Sequence, residues 1–364
     1  MKVEDLLNEC LQRGLTFAAF RVPGGPPRLW VQREPELETV DGSSLGNTER
    51  IFVVAAFAED PGTFMILRPD IEVLLGPFVE RPTALTACNG FMLTDRIAPL
   101  GLDRNGYMMA VAAAKQAFAT SELGKVVLAR TVTRTVDSKA LPELFLRAER
   151  EHPNAFVALV HTPLHGTWLG ASPERLLVAE GDDVLVDALA GSMPQEQAPE
   201  QAAEWGAKER DEQEIVTRKI SQQLKDLGIQ SIALDGPHVR RTGRVAHLIT
   251  TVTGSLGGIN AGRIATGIHP TPAVCGDPME LAKTFIRTHE PPRTLYAGFW
   301  GPWGIAGRTD LYVNIRCVEV MGGNALIHVG AGITSGSDPE SEWEETELKA
   351  RTWLDLIKAQ RRGG

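Results

Sequence analysis

The sequence predicts an α+β protein with an antiparallel-rich sheet. Short apolar runs alternate with Gly- and Pro-containing turns from the N-terminal region onward, which is typical of antiparallel strands. Longer segments with apolar residues at helical spacing separate these runs, most clearly at residues 105–121, 207–227 and 338–358. The 364 residues are enough for one large domain or two ordinary ones, but the turns are evenly scattered and mark no linker. We therefore expect a single domain spanning residues 1–364.

The composition narrows the class of protein. No apolar run approaches the roughly 20 residues that a membrane helix needs, and the N-terminus has early acids instead of an apolar signal core. The formal net charge of −9 and the lack of a basic stripe argue against nucleic acid as a partner. The four cysteines are too scattered for a disulfide framework or a zinc site. We expect a cytoplasmic protein without membrane association, whose cleft can still accept a small anion.

The first hundred residues contain predicted scaffold elements and little recognisable chemistry. The pattern predicts a helix at residues 5–13 and strands at residues 17–22, 29–31, 51–57 and 64–69.

The helix predicted at residues 105–121 leads into a strand at residues 125–132 that carries a candidate base. Strand alternation places Lys125 on the same face as Val127 and Ala129. Lys125 is then either a strand-end lysine that reaches water or a desolvated lysine that acts as a base.

A tight turn carries a candidate acid. A helix at residues 141–150 precedes strands at 156–160, 167–170 and 176–178, and Glu174 lies in the turn before the last of them. Glu174 is either an ordinary turn acid or a partly buried carboxyl that stays protonated and donates a proton. The next strand, at 184–192, ends in Ala190, Gly191 and Ser192, where glycine would let backbone amides approach a ligand.

The helix at residues 207–227 places two acids in line with its buried stripe. Its apolar face extends back to Glu209 and Glu212, and buried carboxylates are costly unless a cation neutralises them. A linker containing Pro237 is predicted next. The strand that follows, at 247–254, begins with His247, and a lone histidine there is more often a core or rim residue than a catalyst.

The segment from residue 269 to 318 contains a buried arginine. A rigid loop at 269–276 precedes a predicted helix at 278–287 and strands at 296–301 and 311–318. Arg316 lies inside the last apolar strand, where a guanidinium needs an anionic partner, and a substrate carboxylate is one candidate.

The last fifty residues combine a strand at 327–333 with an acidic helix at 338–358. Ser337 and Glu340 have the spacing of a capping box at the helix start. Glu342, Glu345 and Lys349 fall on one helix face beside an apolar stripe. From this helix alone, the acidic face is either a solvated edge with a Glu345–Lys349 pair or part of a cation site.

Four glutamates from two helix N-terminal turns favour the cation site. Mg²⁺ accepts one or two carboxylates directly and keeps its other positions for water or substrate oxygens. The candidate ligands of Mg²⁺ are Glu209, Glu212, Glu342 and Glu345.

Nine short motifs, taken together and in order, resemble the chorismate-utilising enzymes, which make isochorismate, salicylate, anthranilate or aminodeoxychorismate. The motifs lie at residues 125–130, 170–174, 189–192, 208–212, 247–248, 269–276, 296–301, 316 and 330–349. The match covers about residues 105–357, whereas residues 1–104 match only loosely. The resemblance implies a two-layered, mostly antiparallel sheet core flanked by helices, with a Mg²⁺-dependent cleft.

The resemblance also implies roles for individual residues. Lys125 would activate a water for attack on ring carbon 2 of chorismate, and Glu174 would protonate the departing 4-hydroxyl. Arg316 would take the side-chain carboxylate of the substrate. The other residues implied to contact or position the substrate are Gly191, Ser192, His247, Ala273, Val274, Tyr296, Gly330, Gly332 and Lys349.

The resemblance further divides the glutamates into two layers. Glu212 and Glu345 would bind Mg²⁺ directly, with Glu209 and Glu342 behind them through water. Many members have Glu-His where this chain has Glu212 followed by Gln213. The metal ligand is therefore retained, whereas glutamine cannot titrate in a proton transfer.

Three positions distinguish the reactions within the family. Members that use ammonia lack the lysine found here at Lys125, so no glutaminase partner is expected. Aminodeoxychorismate-forming members carry a nucleophilic lysine where this chain has Ala190, and salicylate-forming members usually have threonine in place of Ala273. The resemblance thus implies conversion of chorismate to isochorismate by a monomer or weak homodimer. The rivals are pyruvate elimination to salicylate and a non-catalytic paralogue that binds chorismate.

Overall fold

Two nine-stranded sheets form the core of the computed structural model, which describes residues 1–46, 49–57, 62–93, 99 and 101–360. The helices in this part of the chain are α1 (Val3–Gln12), α2 (Arg104–Thr120), α3 (Leu141–Glu151), α4 (Ala207–Asp226), α5 (Ala261–Ile268), α6 (Met279–His289) and α7 (Pro339–Gln360). The strands are β1 (Phe17–Arg21), β2 (Arg28–Val31), β3 (Glu38–Asp41), β4 (Ile51–Ala55), β5 (Thr63–Leu67), β6 (Ile71–Leu74), β7 (Lys125–Thr135), β8 (Phe156–Thr162), β9 (Gly166–Ser172), β10 (Arg175–Glu180), β11 (Asp183–Pro194), β12 (Gln230–Thr242), β13 (Val245–Ser255), β14 (Gly276–Asp277), β15 (Phe299–Trp303), β16 (Arg308–Val313), β17 (Cys317–Met321) and β18 (Asn324–Ile333).

The two sheets pack face to face around an aromatic-rich core. The first has the strand order β14-β7-β18-β17-β9-β8-β1-β2-β6, and the second has the order β12-β13-β11-β10-β16-β15-β4-β5-β3. Rings from opposite sheets meet between them: the centroids of Phe20 and Phe52 are 5.2 Å apart, and those of Phe156 and Tyr312 are 4.4 Å apart. The predicted two-layered α+β architecture is therefore confirmed.

Most predicted elements are present within a few residues of their expected ends. Helices α1 to α4, α6 and α7 and the strands around the predicted catalytic positions match their apolar periodicity. Helix α5 was not predicted, because its eight residues are short for a clear period. No helix in the described part of the chain is long and apolar enough to cross a membrane.

The predicted linker around Pro237 is wrong, because this segment is the 13-residue edge strand β12. The strand is exposed along most of its length, so its sequence lacks the alternation of a half-buried strand. Its pairing with β13 shifts register between Asp235 and His238, which accommodates a proline that cannot donate to the ladder.

Two further predictions at the C-terminal end are corrected. The apolar run at 311–318 belongs to two strands. The extended conformation is interrupted between β16 and β17, where Arg316 adopts a left-handed φ of 51°. The capping box of Ser337 and Glu340 is also wrong. The Asp338 carboxylate accepts a hydrogen bond from the Ser341 amide at 2.9 Å. The Ser337 hydroxyl instead accepts one from the Thr334 amide at 3.1 Å.

Among the connections that carry the chain from one sheet to the other, two lie side by side and are called the crossings below. The first joins β9 to β10 through Glu174, and the second joins β16 to β17 through Arg316. Hydrogen bonds tie the crossings together. The amide of Val313 donates to the Glu174 carbonyl at 3.1 Å, and the Ala171 amide donates to the Arg316 carbonyl at 3.0 Å. These crossings fix the backbone positions of Glu174 and Arg316 relative to each other.

Candidate active site

A cavity between the two sheets gathers most of the predicted site residues. Strands β7 and β18 contribute one wall, β11 and β13 contribute the other, and helices α4 and α7 supply charged side chains. The predicted residues that line the cavity are Glu174, Gly191, Ser192, Glu212, His247, Ala273, Val274, Tyr296, Arg316, Gly330, Gly332 and Lys349.

Lys125 is completely buried at the start of β7, so the desolvated alternative is the correct one for its environment. Its Nζ lies 3.1 Å from Oε1 of Glu212, but this contact lacks hydrogen-bond geometry. Among the described residues, Nζ has no hydrogen-bond partner. The amine is thus held by one carboxylate behind the cavity-lining residues Glu212 and Gly332, and Lys125 is not itself among the lining residues.

Glu174 is also buried, at 1% exposure, in the turn between β9 and β10. Burial, followed by the charge of the nearby Asp187 carboxylate, raises the pKa of Glu174 to about 8 against the opposing charge of Lys125. Its Oε1 has no hydrogen-bond partner in the described part of the chain. Glu174 is consequently a protonated carboxyl at neutral pH and can donate a proton.

Two glycines let charged groups approach the cavity backbone. A Cβ at position 332 would lie 2.0 Å from Glu212 Oε1 and 3.2 Å from Lys125 Cε, so any side chain at this position would displace the Glu212 carboxylate. Gly191 has a φ of +70° at a bulge in the β11–β13 pairing, and a Cβ there would lie 2.8 Å from the Glu209 carbonyl oxygen. The backbone of α4 therefore packs closely against Gly191, whereas the predicted approach of a ligand to this backbone stays a prediction.

Arg316 is buried without a carboxylate partner at salt-bridge distance in the described residues. Its guanidinium donates to Thr352 Oγ1 at 3.0 Å and contacts His247 Nε2 at 3.0 Å. Burial lowers the pKa of Arg316 to about 10, and it lowers the pKa of His247 as well, helped by the charge of Arg316. The neutral His247 therefore accepts from Arg316 and bonds to the Gly191 backbone through its other nitrogen. A substrate anion would supply the missing countercharge.

The acidic face of α7 is buried and paired with lysines. Lys349 Nζ donates to Glu345 Oε1 at 2.6 Å and to the Gly330 carbonyl at 2.9 Å, and Lys208 Nζ donates to Glu342 Oε1 at 2.5 Å. Burial and the adjacent Glu345 raise the pKa of Glu342. Burial also opposes ionisation of Glu345, but Lys349 and Lys208 outweigh it and lower the pKa of Glu345. The alternative of a solvated edge is wrong for this face.

These carboxylates have the chemistry that a hard cation requires. Glu342 is fully buried beside Glu345, and its Oε2 has no hydrogen-bond partner among the described residues. Two adjacent carboxylates that repel each other, with one oxygen unsatisfied, fit a divalent cation bound through oxygen. Within the described ranges, no three acidic, imidazole or thiol side chains already form a metal cage. The Glu209 carboxylate turns toward Gly206, so Mg²⁺ ligation by the four glutamates stays a prediction.

Comparison with known proteins identifies the family. Residues 94–358 match the family model described as chorismate binding enzyme. The chain belongs to this family. Isochorismate synthase MenF of Escherichia coli is 32% identical over 78% of this chain and 67% of its own length. Isochorismate synthase DhbC of Bacillus subtilis is 33% identical over 65% of this chain and 63% of its own length.

The fold agrees with a solved member of the chorismate-binding enzymes. The structure of MenF, the menaquinone-specific isochorismate synthase from Escherichia coli, superposes with a TM-score of 0.78. The superposition covers 98% of this chain and 91% of that chain, at 24% sequence identity. At that identity, the likeness supports the fold alone.

Some residues in and around the cavity were not identified from the sequence. His328 lines the cavity with its ring stacked between Trp168 and Tyr296, at centroid distances of 5.1 and 5.3 Å. Lys208 was included in a motif without a role, although it neutralises Glu342. Gln213, which replaces the usual histidine, donates to Thr217 and Thr250 at 2.7 Å and does not line the cavity.

Proposed function

We propose that this protein is an isochorismate synthase, an isomerase that converts chorismate to isochorismate. The observation that carries the proposal is the placement of two opposite proton-transfer groups at one cavity: Glu174 lines it, and Lys125 lies directly behind the lining residues Glu212 and Gly332. Lys125 is buried with an unengaged Nζ, and Glu174 is buried with a pKa raised to about 8. A base and an acid placed in this way suit addition of water at one ring carbon and loss of hydroxide from another. The named isochorismate synthases among the relatives support the same reaction.

In the proposed reaction, water adds to ring carbon 2 and the 4-hydroxyl departs. Lys125 takes a proton from the attacking water, and the new C2–O bond pushes the electrons of the ring double bonds toward carbon 4. The C4–O bond breaks, and Glu174 gives its proton to the departing hydroxide, which leaves as water. Atoms, charge and oxidation state therefore balance without a redox partner.

In this proposal the substrate is positioned by Arg316, which lacks a countercharge, and by the backbone of three glycines. Arg316 would bind the side-chain carboxylate of chorismate, because its own partners are the neutral His247 and Thr352. Gly191, Gly330 and Gly332 would present backbone to the substrate carboxylates. Each contact is stronger for a dianion than for an uncharged analogue, so the cavity selects a substrate with two carboxylates.

We propose Mg²⁺ as the cofactor, with Glu212 and Glu345 as direct ligands and Glu209 and Glu342 acting through water. The support is the buried, oxygen-rich chemistry of α4 and α7, together with the unsatisfied Oε2 of Glu342. When bound, Mg²⁺ would hold the ring carboxylate and polarise the conjugated system.

The cavity also favours isochorismate over the products of rival reactions. Ala190 stands where aminodeoxychorismate-forming enzymes carry a nucleophilic lysine, and Ala273 stands where salicylate-forming enzymes usually carry threonine. Neither methyl group can act as a nucleophile or transfer a proton. We further propose a cytoplasmic monomer or weak homodimer that serves menaquinone or siderophore biosynthesis.

Product analysis with purified protein tests the proposal. Chorismate and Mg²⁺ are incubated with the protein, with and without a chelator, and the products are separated by chromatography. Isochorismate that disappears on chelation is the expected result. Salicylate together with pyruvate would replace the proposal by a salicylate synthase, and bound but unconverted chorismate would identify a non-catalytic paralogue.

The reaction rate should fall on the alkaline side as Glu174 loses its proton. Glu174 must be protonated to give its proton to the leaving hydroxide, and its pKa is raised to about 8, so kcat should decline as pH rises through about 8. The pH dependence of kcat at saturating chorismate and Mg²⁺ measures this limb. Glu174→Gln should remove the limb along with most activity, and an unchanged limb in the residual activity would exclude Glu174 as the acid.

Adding a methyl group at Gly332 should inactivate the enzyme, although no charged residue is substituted. The Cβ of Gly332→Ala would overlap Glu212 Oε1, which must move and leave Lys125 without its anchor. We expect kcat/KM to fall by about 100-fold, the range in which displaced positioning groups act. Gly46→Ala serves as the control, because a Cβ there meets nothing within 4 Å and the φ of Gly46 is not left-handed. Full activity in Gly332→Ala would show that Glu212 does not hold Lys125.

A further inference from the structure

A buried carboxylate behind the cavity joins two arginines. Asp187 of β11 is completely buried and lies outside the cavity wall. Arg175 donates to it from Nε at 2.9 Å and from Nη2 at 2.7 Å, and Arg240 donates from Nη1 at 3.1 Å. Thr251 adds a weaker contact at 3.4 Å. A buried charge with this number of donors is a rigid anchor.

The anchor reaches the backbone on both sides of the catalytic turn. The amide of Arg175, the residue after Glu174, donates to Asp187 Oδ2 at 3.2 Å. Arg240 Nη1, which also binds Asp187, donates to the carbonyl of Pro173, the residue before Glu174, at 3.2 Å. The Glu174 turn is therefore held at each end by groups that converge on one carboxylate.

We propose that Asp187 is a positioning residue for Glu174, which it acts on through Arg175 and Arg240. The proposal rests on the proposed function, because that function assigns Glu174 the role of proton donor. Asp187 itself is not among the residues that line the cavity. Its effect is twofold: it fixes the direction in which Glu174 points, and it places a negative charge behind the acid.

The negative charge of Asp187 changes the pKa of Glu174 in a definite direction. The charged groups that act on Glu174 are Asp187, which raises its pKa, and Lys125, Arg240 and Lys349, which lower it. Asp187→Asn removes the one anion and leaves the arginine charges uncompensated, so the pKa of Glu174 must fall. Arg240→Met removes one of the cations, so the pKa of Glu174 must rise. A residue with a merely structural role would not give opposite shifts in the two variants.

The pH dependence of kcat in the two variants is the first test. The alkaline limb of Asp187→Asn should move to lower pH by about one unit, and that of Arg240→Met should move to higher pH. KM for chorismate should stay within about twofold, because neither residue lines the cavity. Shifts in the same direction, or no shift in either variant, would overturn the proposal. If Asp187→Asn does not fold, the direction of the shift in Arg240→Met decides alone.

Asp310→Asn is the matched control. Asp310 is a buried carboxylate of β16 that pairs with Arg308 at 2.9 Å, and it is not among the groups that act on Glu174. Its loss should lower thermal stability to a similar extent but leave the pH profile where it is. An equal shift in Asp310→Asn would assign the effect to general destabilisation and would overturn the proposal.

Infrared difference spectroscopy separates failure of this proposal from failure of the proposed function. The C=O stretch of a protonated carboxyl that disappears in Glu174→Gln reports the titration of Glu174 without any turnover. This band should vanish at lower pH in Asp187→Asn than in the unmodified protein. If the unmodified protein makes no isochorismate but the band shifts as expected, the proposed function fails and the Asp187 linkage stands. If the protein is active and the band does not move, the linkage fails.

Discussion

Lys125→Ala should abolish water addition while chorismate still binds. The amine at this position is buried and has no hydrogen-bond partner in the described chain, and its charged neighbour Glu212 is assigned to Mg²⁺ and not to proton transfer. General bases contribute about 10²–10⁴-fold, and kcat should fall by that factor. The measurement is isochorismate formation at saturating substrate, combined with calorimetric titration of chorismate in the presence of Mg²⁺.

The control for this substitution is another lysine with one carboxylate partner. Lys219 of α4 pairs with Asp277 at 2.9 Å, with 39% of its side chain exposed, so Lys219→Ala removes an ammonium group far less buried than that of Lys125. Turnover should be unchanged in this control. Because Lys125→Ala leaves Glu212 without its partner, its thermal unfolding must also be measured. If turnover persists in folded Lys125→Ala, another group is the base.

Glu345→Gln should weaken the binding of Mg²⁺ and of chorismate together. The substitution preserves the shape of the side chain and an oxygen that can accept from Ser192 and Lys349, but it removes the charge. Loss of a directly ligating carboxylate should lower Mg²⁺ affinity by at least about tenfold, since even outer ligands have effects of that size. Calorimetry with Mg²⁺ alone measures the effect independently of activity.

Glu347→Gln provides the comparison on the same helix. Glu347 lies two residues further along α7 and pairs with Arg130, and 48% of its side chain is exposed. The change in net charge is identical in the two variants, so a nonspecific effect of charge would appear in both. Unchanged Mg²⁺ affinity in Glu345→Gln, or an equal decrease in Glu347→Gln, would remove Glu345 from the ligand set.

Periodicity predicted the helices and strands that bury one face, and it failed where burial does not follow a simple pattern. Strand β12 is exposed, and Pro237 in it resembles a linker residue. The strand predicted across Arg316 is continuous in hydropathy but not in backbone, because the left-handed conformation of Arg316 depends on tertiary contacts. The carbonyl of Arg316, for example, accepts from Trp353 Nε1 at 2.6 Å, 37 residues away.

The candidate site was more predictable than these details of the fold. Strand alternation placed Lys125 on one face with Val127 and Ala129 but left its burial open, which only the structure shows. The resemblance to chorismate-utilising enzymes names the remaining groups in order along the chain. Asp187 was not identified, because an acid inside an apolar strand gives no local indication of its partner. Arg175 and Arg240 lie 12 and 53 residues away, and only the folded sheet brings them to one carboxylate.

The two neighbouring crossings at Glu174 and Arg316 determine at which stage the conformational entropy of the site is lost. Glu174 and Arg316 occupy adjoining backbone segments joined by hydrogen bonds of 3.0–3.1 Å, so their separation is set as the sheets assemble. The conformational entropy of aligning Glu174, the proposed proton donor, with Arg316, the proposed binding group for the substrate carboxylate, is therefore lost during folding. It is not lost when the substrate binds. Binding free energy that a flexible site would use for ordering remains available for stabilising the transition state.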